Sequence, residues 1–282
     1  MSDGYKMVVL LKQVPDTSSK AGVNPDGTVD RARAKRMMNP FDKYALQKAL
    51  EVKKAHGGQI TVISMGPPPA LEIITEALEY GADKGLLLSD KRLAASDTLS
   101  TAYALHMAVK HVGKVDLVFT GLQTTDGDTA QTGPQIAERL DMPQVTYLEK
   151  LSVNDGVATM QRVVEGGYQT LETPLPCLIT VANSATRLAP KRFAEVYEVK
   201  ELARNKAEYD KRVTVISLDD IGADPDRAGL KGSPTVVGKT WKMGDIGGSC
   251  AMFEGGNARD EVAELVARVA ADNEGILEEV LQ

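Results

Sequence analysis

Three unusual segments each follow an apolar run: Lys12-Gln13-Val14-Pro15, Met65-Gly66-Pro67-Pro68 and, longest, Gly121-Leu122-Gln123-Thr124-Thr125-Asp126-Gly127-Asp128-Thr129-Ala130-Gln131-Thr132-Gly133-Pro134. A fourth, Asn39-Pro40-Phe41-Asp42, opens a helical pattern instead. The longest segment has a phosphate-binding logic. Gly121 would let backbone approach a ligand closely. Asp126-Gly127-Asp128 reads as a tight turn, and Thr129 to Gln131 as the start of a helix whose free amides can receive an anion. Thr129, Gln131 and Thr132 add neutral donors. Asp126 and Asp128 would repel a phosphate at contact range, so they are expected to cap amides or hold a ribose hydroxyl. On spacing alone, a loop with an Asp cap and no ligand reads as well, because neither GxGxxG nor GxxxxGK[ST] is present. Gly66 with its prolines reads as a stiff turn, and Lys12 as a solvated lysine, unless something else recruits them.

Side chains for catalysis are scarce. His56, His106 and His111 fall in or beside helical patterns with no Cys or carboxylate at ligand spacing, so each reads as solvated or packed. Cys177 and Cys250 are far apart and form neither a disulfide framework nor a metal motif. A chain with no evident nucleophile or base can still hold a cofactor that does the chemistry. The formal net charge of -6 excludes a general nucleic-acid binder, which needs a basic excess. No apolar run approaches the ~20 residues that span a bilayer, and the N-terminus lacks the features of a signal peptide. The cytoplasm is the expected compartment.

The segments are positioned by alternating strands and helices. Lys6 to Leu11 reads as a buried strand, and Asn39-Pro40 opens a helix carrying Tyr44, Ala45, Ala49 and Val52. Gln59 to Met65 is a second strand, followed by a helix through Leu71, Ile74, Ala77 and Leu78 to Gly81. Gly85 to Leu88 is a short strand, and Ser96 to Val112 a helix with Leu99, Ala102, Leu105 and Val109 inward. Val115 to Thr120 is a strand and Ile136, Ala137 and Leu140 mark the next helix. This alternation implies an α/β fold, an open, mainly parallel, doubly wound Rossmann-like sheet. After Val145 three antiparallel strands are expected, at Thr146–Val153, Val157–Val164 and Tyr168–Leu171, then apolar strands at Leu178–Val181 and Val213–Leu218. Ala189 to Asp210 reads as a helix or an extended surface segment. Asp219 to Asn257 is too long and irregular for a normal connection, so a division at residues 1–218 and 219–282 is expected. The second part is then an arm, ending in a helix over Ala258–Ala271, that packs on a partner.

These residues together resemble the electron transfer flavoprotein beta family from about Met7 to Pro234. The most specific match is Arg162-Val163-Val164-Glu165-Gly166-Gly167-Tyr168-Gln169-Thr170-Leu171, then Pro176-Cys177-Leu178-Ile179-Thr180. The resemblance implies a heterodimer with an alpha subunit holding an electron-shuttling FAD. It implies a second nucleotide in this chain, AMP in simple members and FAD in electron-bifurcating ones. The family's nucleotide contacts map onto Lys12, Asn39 to Asp42, Met65-Gly66 and the run Gly121 to Pro134. The form Asp126-Gly127-Asp128-Thr129-Ala130-Gln131 is similar to the bifurcating, FixA-like branch, in which NADH docks near the loop after the second strand. Leu188-Ala189-Pro190-Lys191-Arg192-Phe193 departs from the segment with which the family engages acyl-CoA dehydrogenases, so the resemblance leaves the redox partner open. Alternatives are a one-flavin shuttle with structural AMP, and an ATP-binding module of a stress-type or ligase-type family on a similar fold.

Overall fold

The structure is a computed structural model describing residues 4–16, 35–236, 252 and 256–272. The chain forms two compact units, Met1–Lys239 and Thr240–Gln282. The first is built on β1 (Tyr5–Leu11), β2 (Gln13–Pro15), β3 (Arg36–Met38), α1 (Pro40–His56), β4 (Gly58–Met65), α2 (Leu71–Tyr80), β5 (Lys84–Leu88) and α3 (Thr98–Val112). It continues through β6 (Leu117–Gly121), α4 (Thr132–Leu140), β7 (Gln144–Asn154), β8 (Val157–Val164), β9 (Gly167–Pro174), β10 (Cys177–Val181), α5 (Phe193–Arg204), α6 (Lys206–Arg212) and β11 (Val213–Ile216). The second unit contributes α7 (Ala258–Asp272) among its described residues.

Nine strands form one sheet in the order β11-β5-β4-β1-β6-β10-β7-β8-β9, with β2 and β3 a separate antiparallel pair. From β11 to β7 neighbouring strands are parallel, and β7, β8 and β9 are antiparallel. The antiparallel extension therefore continues the main sheet. Central β1 reads as an unbroken apolar run because helices cover both its faces. Met7, Val9 and Leu11 join Leu46, Ala49, Ile74 and Leu78 of α1 and α2 in one core. Val8 and Leu10 join Ala102, Leu105, Val109, Ile136 and Ala137 of α3 and α4 in the other.

Several expectations change. Leu99, in the first turn of α3, does not face inward; it is 38% exposed. The segment 189–210 is helical over most of its length, as α5 and the start of α6. Residues up to Val236 of the expected arm pack on the first unit itself. Leu218, Ile221, Ala223 and Ala228 enter the α3–α4 core, the Asp224 amide donates to the Tyr103 hydroxyl at 2.8 Å, and Arg227 lies 4.3 Å above the Tyr103 ring. Most of the remainder of that stretch lies outside the described residues. The pair β2–β3 was not expected, since three-residue strands carry no periodicity to read.

Candidate nucleotide site

From β1 the chain moves outward to β4 and β5, then returns to the other side of β1 as β6. The reversal makes the carboxyl ends of β1 and β6 the switch point, where open α/β sheets bind ligands. Lys12 leaves β1 there, and Gly121 ends β6. Asn39 and Asp42, at the start of α1, sit between them and are buried at 0% and 5% exposure.

A short network ties the three segments together. The Lys12 amide donates to Asp42 Oδ2 at 2.7 Å. Asn39 Nδ2 donates to Asp42 Oδ1 and to the Gln123 carbonyl, each at 2.8 Å, and Asn39 Oδ1 accepts from the Thr125 amide at 3.3 Å. The Gly121 amide also bonds to Asp42. Gly121 is required by this closeness. A Cβ there would stand 2.4 Å from Asp42 Oδ1 and 2.7 Å from the Phe41 carbonyl carbon. Its missing side chain makes room for α1, not for a ligand as the sequence suggested. Burial pushes the Asp42 carboxyl up to about 7, against the hydrogen bonds from Asn39, Lys12 and Gly121 that favour its ionised form.

The loop after β6 also departs from expectation. Its turn closes through the Asp128 amide and the Thr124 carbonyl at 2.9 Å, and the helix starts at Thr132, not Thr129. Neither aspartate caps it. Asp126 takes the Lys12 ammonium at 2.8 Å, and Asp128 accepts a hydrogen bond from Gln123. Burial opposes ionisation of Asp126, but the bond and charge of Lys12, with hydrogen bonds from the Thr124 hydroxyl and its own amide, together outweigh it and hold the carboxyl below its ordinary range. The left-handed residues are Asp128 and Ala130, at φ 52° and 54°, which costs a non-glycine residue ~1 kcal/mol or more. Gly127 is not left-handed. Gly133 is packed, since a Cβ would meet the Thr180 methyl at 2.8 Å and Thr120 Oγ1 at 2.9 Å. It brings α4 close to β6 and β10 and does not leave room for a ring.

Thus Lys12, Asn39, Asp42, Gly121, Gln123, Asp126 and Asp128 converge, with Pro40 and Phe41 in the first turn of α1. Thr129, Ala130, Gln131, Thr132, Gly133 and Pro134 lead into and begin α4, and Thr98 of α3 donates to Gln131 Oε1 at 3.0 Å. Met65 and Gly66 stand one strand away, at the end of β4, where the Gly66 amide donates to the Leu88 carbonyl at 3.0 Å. The sequence reading missed Ser64, Thr120 and Gln135. Their Ser64 Oγ, Thr120 Oγ1 and Gln135 Oε1 atoms are buried without a partner; for Ser64 and Thr120 a hydroxyl at a strand's carboxyl end was the available signal, and Gln135, within α4, had none. The residues fit a nucleotide phosphate: the amides of Thr132 and Gly133 that open α4 are free as at the start of any helix, the unspent Thr120 Oγ1 lies close to Gly133, and Lys12 neutralises Asp126. Among the described residues no group of three or more acidic, His or Cys side chains could hold a metal. No helix among them is long and apolar enough to cross a membrane.

The family description "Electron transfer flavoprotein domain" matches residues 26–209. The chain is 36% identical over 270 residues to the acryloyl-CoA reductase electron transfer subunit gamma of Anaerotignum propionicum, covering 94% of this chain and 97% of that protein. It is 42% identical over 239 residues to protein FixA of Sinorhizobium fredii, covering 82% and 81% of the two chains. It is also 42% identical over 235 residues to the electron transfer flavoprotein subunit beta of Clostridium acetobutylicum, covering 83% and 86%. The chain belongs to the electron transfer flavoprotein family.

Proposed function

We propose that this chain is the beta-type subunit of a flavin-containing heterodimer, that it holds a nucleotide at the ends of β1 and β6, and that the nucleotide is FAD. The observation that carries the reading is the switch-point junction, where Lys12, the loop 121–131 and the first turn of α4 meet beside unspent buried polar atoms. FAD is favoured over AMP by the form of the loop and by likeness to relatives of the FixA and acyl-CoA reductase type. When bound, the flavin supplies the redox chemistry, and the protein supplies binding and orientation. No side chain of this subunit is assigned a catalytic role. The first amides of α4 hold phosphate, while Lys12 keeps Asp126 from repelling it.

The alpha subunit completes the heterodimer in this reading, NADH is the electron donor, and an acyl-CoA-linked redox enzyme exchanges electrons with the complex, by bifurcation. α7 exposes Val262, Leu265, Val266 and Val269, spaced as one helical stripe, and is the part of the arm assigned to the alpha subunit. The complex acts in the cytoplasm. The test is to denature the purified heterodimer, quantify FAD and AMP against protein, and add NADH anaerobically to the intact complex. Two FAD per heterodimer with bleaching by NADH is the expected result. One FAD with stoichiometric AMP and no reaction with NADH would reduce the chain to part of a one-flavin shuttle.

A further inference from the structure

The loop after β6 enters α4 through two left-handed residues, Asp128 and Ala130. Such backbone persists only where its surroundings impose it. Next to Ala130, Gln131 is held from outside its own loop. Its Oε1 accepts from the Thr98 hydroxyl at 3.0 Å, and the same hydroxyl accepts from Gln135 Nε2 at 3.4 Å. Thr98, the first residue of α3, therefore bridges the residue before α4 and one in its first turn.

Asp97, which precedes it, is bonded elsewhere. Its Oδ1 accepts from the Ser100 amide at 2.9 Å and caps α3. Its Oδ2 accepts from the Thr235 amide at 3.1 Å and from the Thr235 hydroxyl at 2.8 Å. The Asp97 amide donates to the Ser233 hydroxyl at 2.8 Å. Ser233 is buried and donates in turn to the Gly229 carbonyl at 2.7 Å. Gly229 lies so close to the turn preceding α3 that a Cβ would stand 1.8 Å from the Arg92 carbonyl oxygen. The segment 229–235 is thus strapped to the start of α3.

We propose that Thr98 and Asp97 are positioning residues of the nucleotide site, acting through Gln131, and that they couple nucleotide binding to the hold on the segment 229–235. The inference rests on the nucleotide reading above. Gln131 sets where the free Thr132 and Gly133 amides begin. It is exposed, so without the Thr98 hydroxyl it turns to water and the left-handed step at Ala130 can relax. Binding must then restore the loop, and affinity falls with the fraction of chains that hold the competent form. Asp97 is fixed by its cap bond and by three bonds to the segment 229–235, which leaves Thr98 beside it little freedom. Coupling of this kind is reciprocal, so nucleotide that fixes Gln131 also tightens the Thr235 bonds.

The test is the affinity of the heterodimer for FAD and for AMP, each after release of bound nucleotide. Amide exchange at Gln135 and Thr235 is followed with and without nucleotide. The Gln135 amide donates to the Gln131 carbonyl at 3.1 Å and so reports Gln131 in place. Thr98→Val, which keeps the side chain's shape without its hydroxyl, should weaken binding roughly fivefold, the worth of about one neutral hydrogen bond. Thr98→Ser should recover that affinity. Asp97→Asn keeps the cap through its one oxygen but turns an N–H group toward the Thr235 amide. It should bind roughly two- to threefold more weakly, and nucleotide should slow Thr235 exchange in wild type by about the same factor. A Val variant that binds like wild type would overturn the inference, as would a Ser variant as weak as Val. Thr235 exchange that ignores nucleotide would overturn the coupling. If wild type bound neither FAD nor AMP, the nucleotide reading would fall. Gln135 exchange would still decide the role of Thr98: faster exchange in Thr98→Val supports it, and unchanged exchange overturns it.

Discussion

Two polar clusters lie at opposite strand ends of the same sheet, one at an amino end and one at carboxyl ends, and their contrast separates scaffolding from site. At the amino end of β5, a cleft of about 190 Å³ is lined by Lys53, Asp83, Arg192, Glu195, Glu198 and Arg212, among others. Lys53 reaches both Asp83 oxygens at 2.7 Å and the Gly81 carbonyl at 3.0 Å. Arg212 reaches the Asp83 and Ala82 carbonyls at 2.9 and 3.3 Å and Glu198 at 2.7 Å. These cations take the carbonyls of the turn between α2 and β5, and of the side chains named here Glu195 Oε2 alone is left without a partner. The cluster at the ends of β1 and β6 has fewer charges. It has two left-handed non-glycine residues and two buried side-chain atoms without a partner, Thr120 Oγ1 and Gln135 Oε1. Charge density marks the cleft, and strain with unspent polarity marks the candidate site.

Gly121→Val should have the largest effect. Its Cβ would overlap Asp42 and the backbone of α1, so a loss of about 3 kcal/mol is expected in urea unfolding. A cost below ~1 kcal/mol would mean that α1 is not wedged against β6. Arg212→Met tests the other cluster. Losing three bonds at a part-exposed site should cost about 1–2 kcal/mol, with nucleotide content per heterodimer unchanged. Loss of nucleotide from that variant, with the fold intact, would erase the distinction between the two clusters.

The strands and helices around the site were legible because a parallel sheet covered on both faces writes long apolar runs into β1, β4 and β6. The four segments of the candidate site were legible too, since three of them interrupt such a run at a strand's end and the fourth opens a helix. Their internal roles were not. Gly121 looked like a close approach for a ligand, but α1 claims that space, as α4 claims the space at Gly133, and nothing local in the sequence encodes which helix arrives. Asp126 and Asp128 looked like caps, but Lys12, 114 residues from Asp126, and Gln123 take their carboxylates. Long-range pairing decided each case.

Thr120→Val removes a buried hydroxyl that has no partner, at nearly constant volume. Stability should rise by about 1 kcal/mol, since an unsatisfied buried group costs about that much. Nucleotide affinity should fall if the hydroxyl is kept for the ligand. A variant that binds as well as wild type would remove Thr120 from the site. Ala130→Gly should have a smaller effect, stabilising by ~0.5 kcal/mol as relief of the left-handed backbone exceeds the added chain entropy. Weaker nucleotide binding in the more stable variant would tie that strain to function. Equal binding would leave it a property of the loop alone.

Gly127→Val should do least. Its sequence context, between two aspartates in a turn, suggests a glycine that must adopt positive φ, so that a branched side chain would open the loop. The backbone says otherwise. The left-handed residue is Asp128, and φ at Gly127 lies outside that region. A Cβ there meets only Thr124 Oγ1 at 3.4 Å, an ordinary contact. The bond from the Asp128 amide to the Thr124 carbonyl that closes the turn does not depend on Gly127. Valine should therefore cost no more than ~0.5 kcal/mol, the usual range for a surface change, and nucleotide content should match wild type. A folded Gly127→Val protein that loses its nucleotide would show that the ligand touches the loop at this bare backbone. The region of unspent polarity would then extend from Thr120 to the tip of the turn, with Gly127 a direct contact.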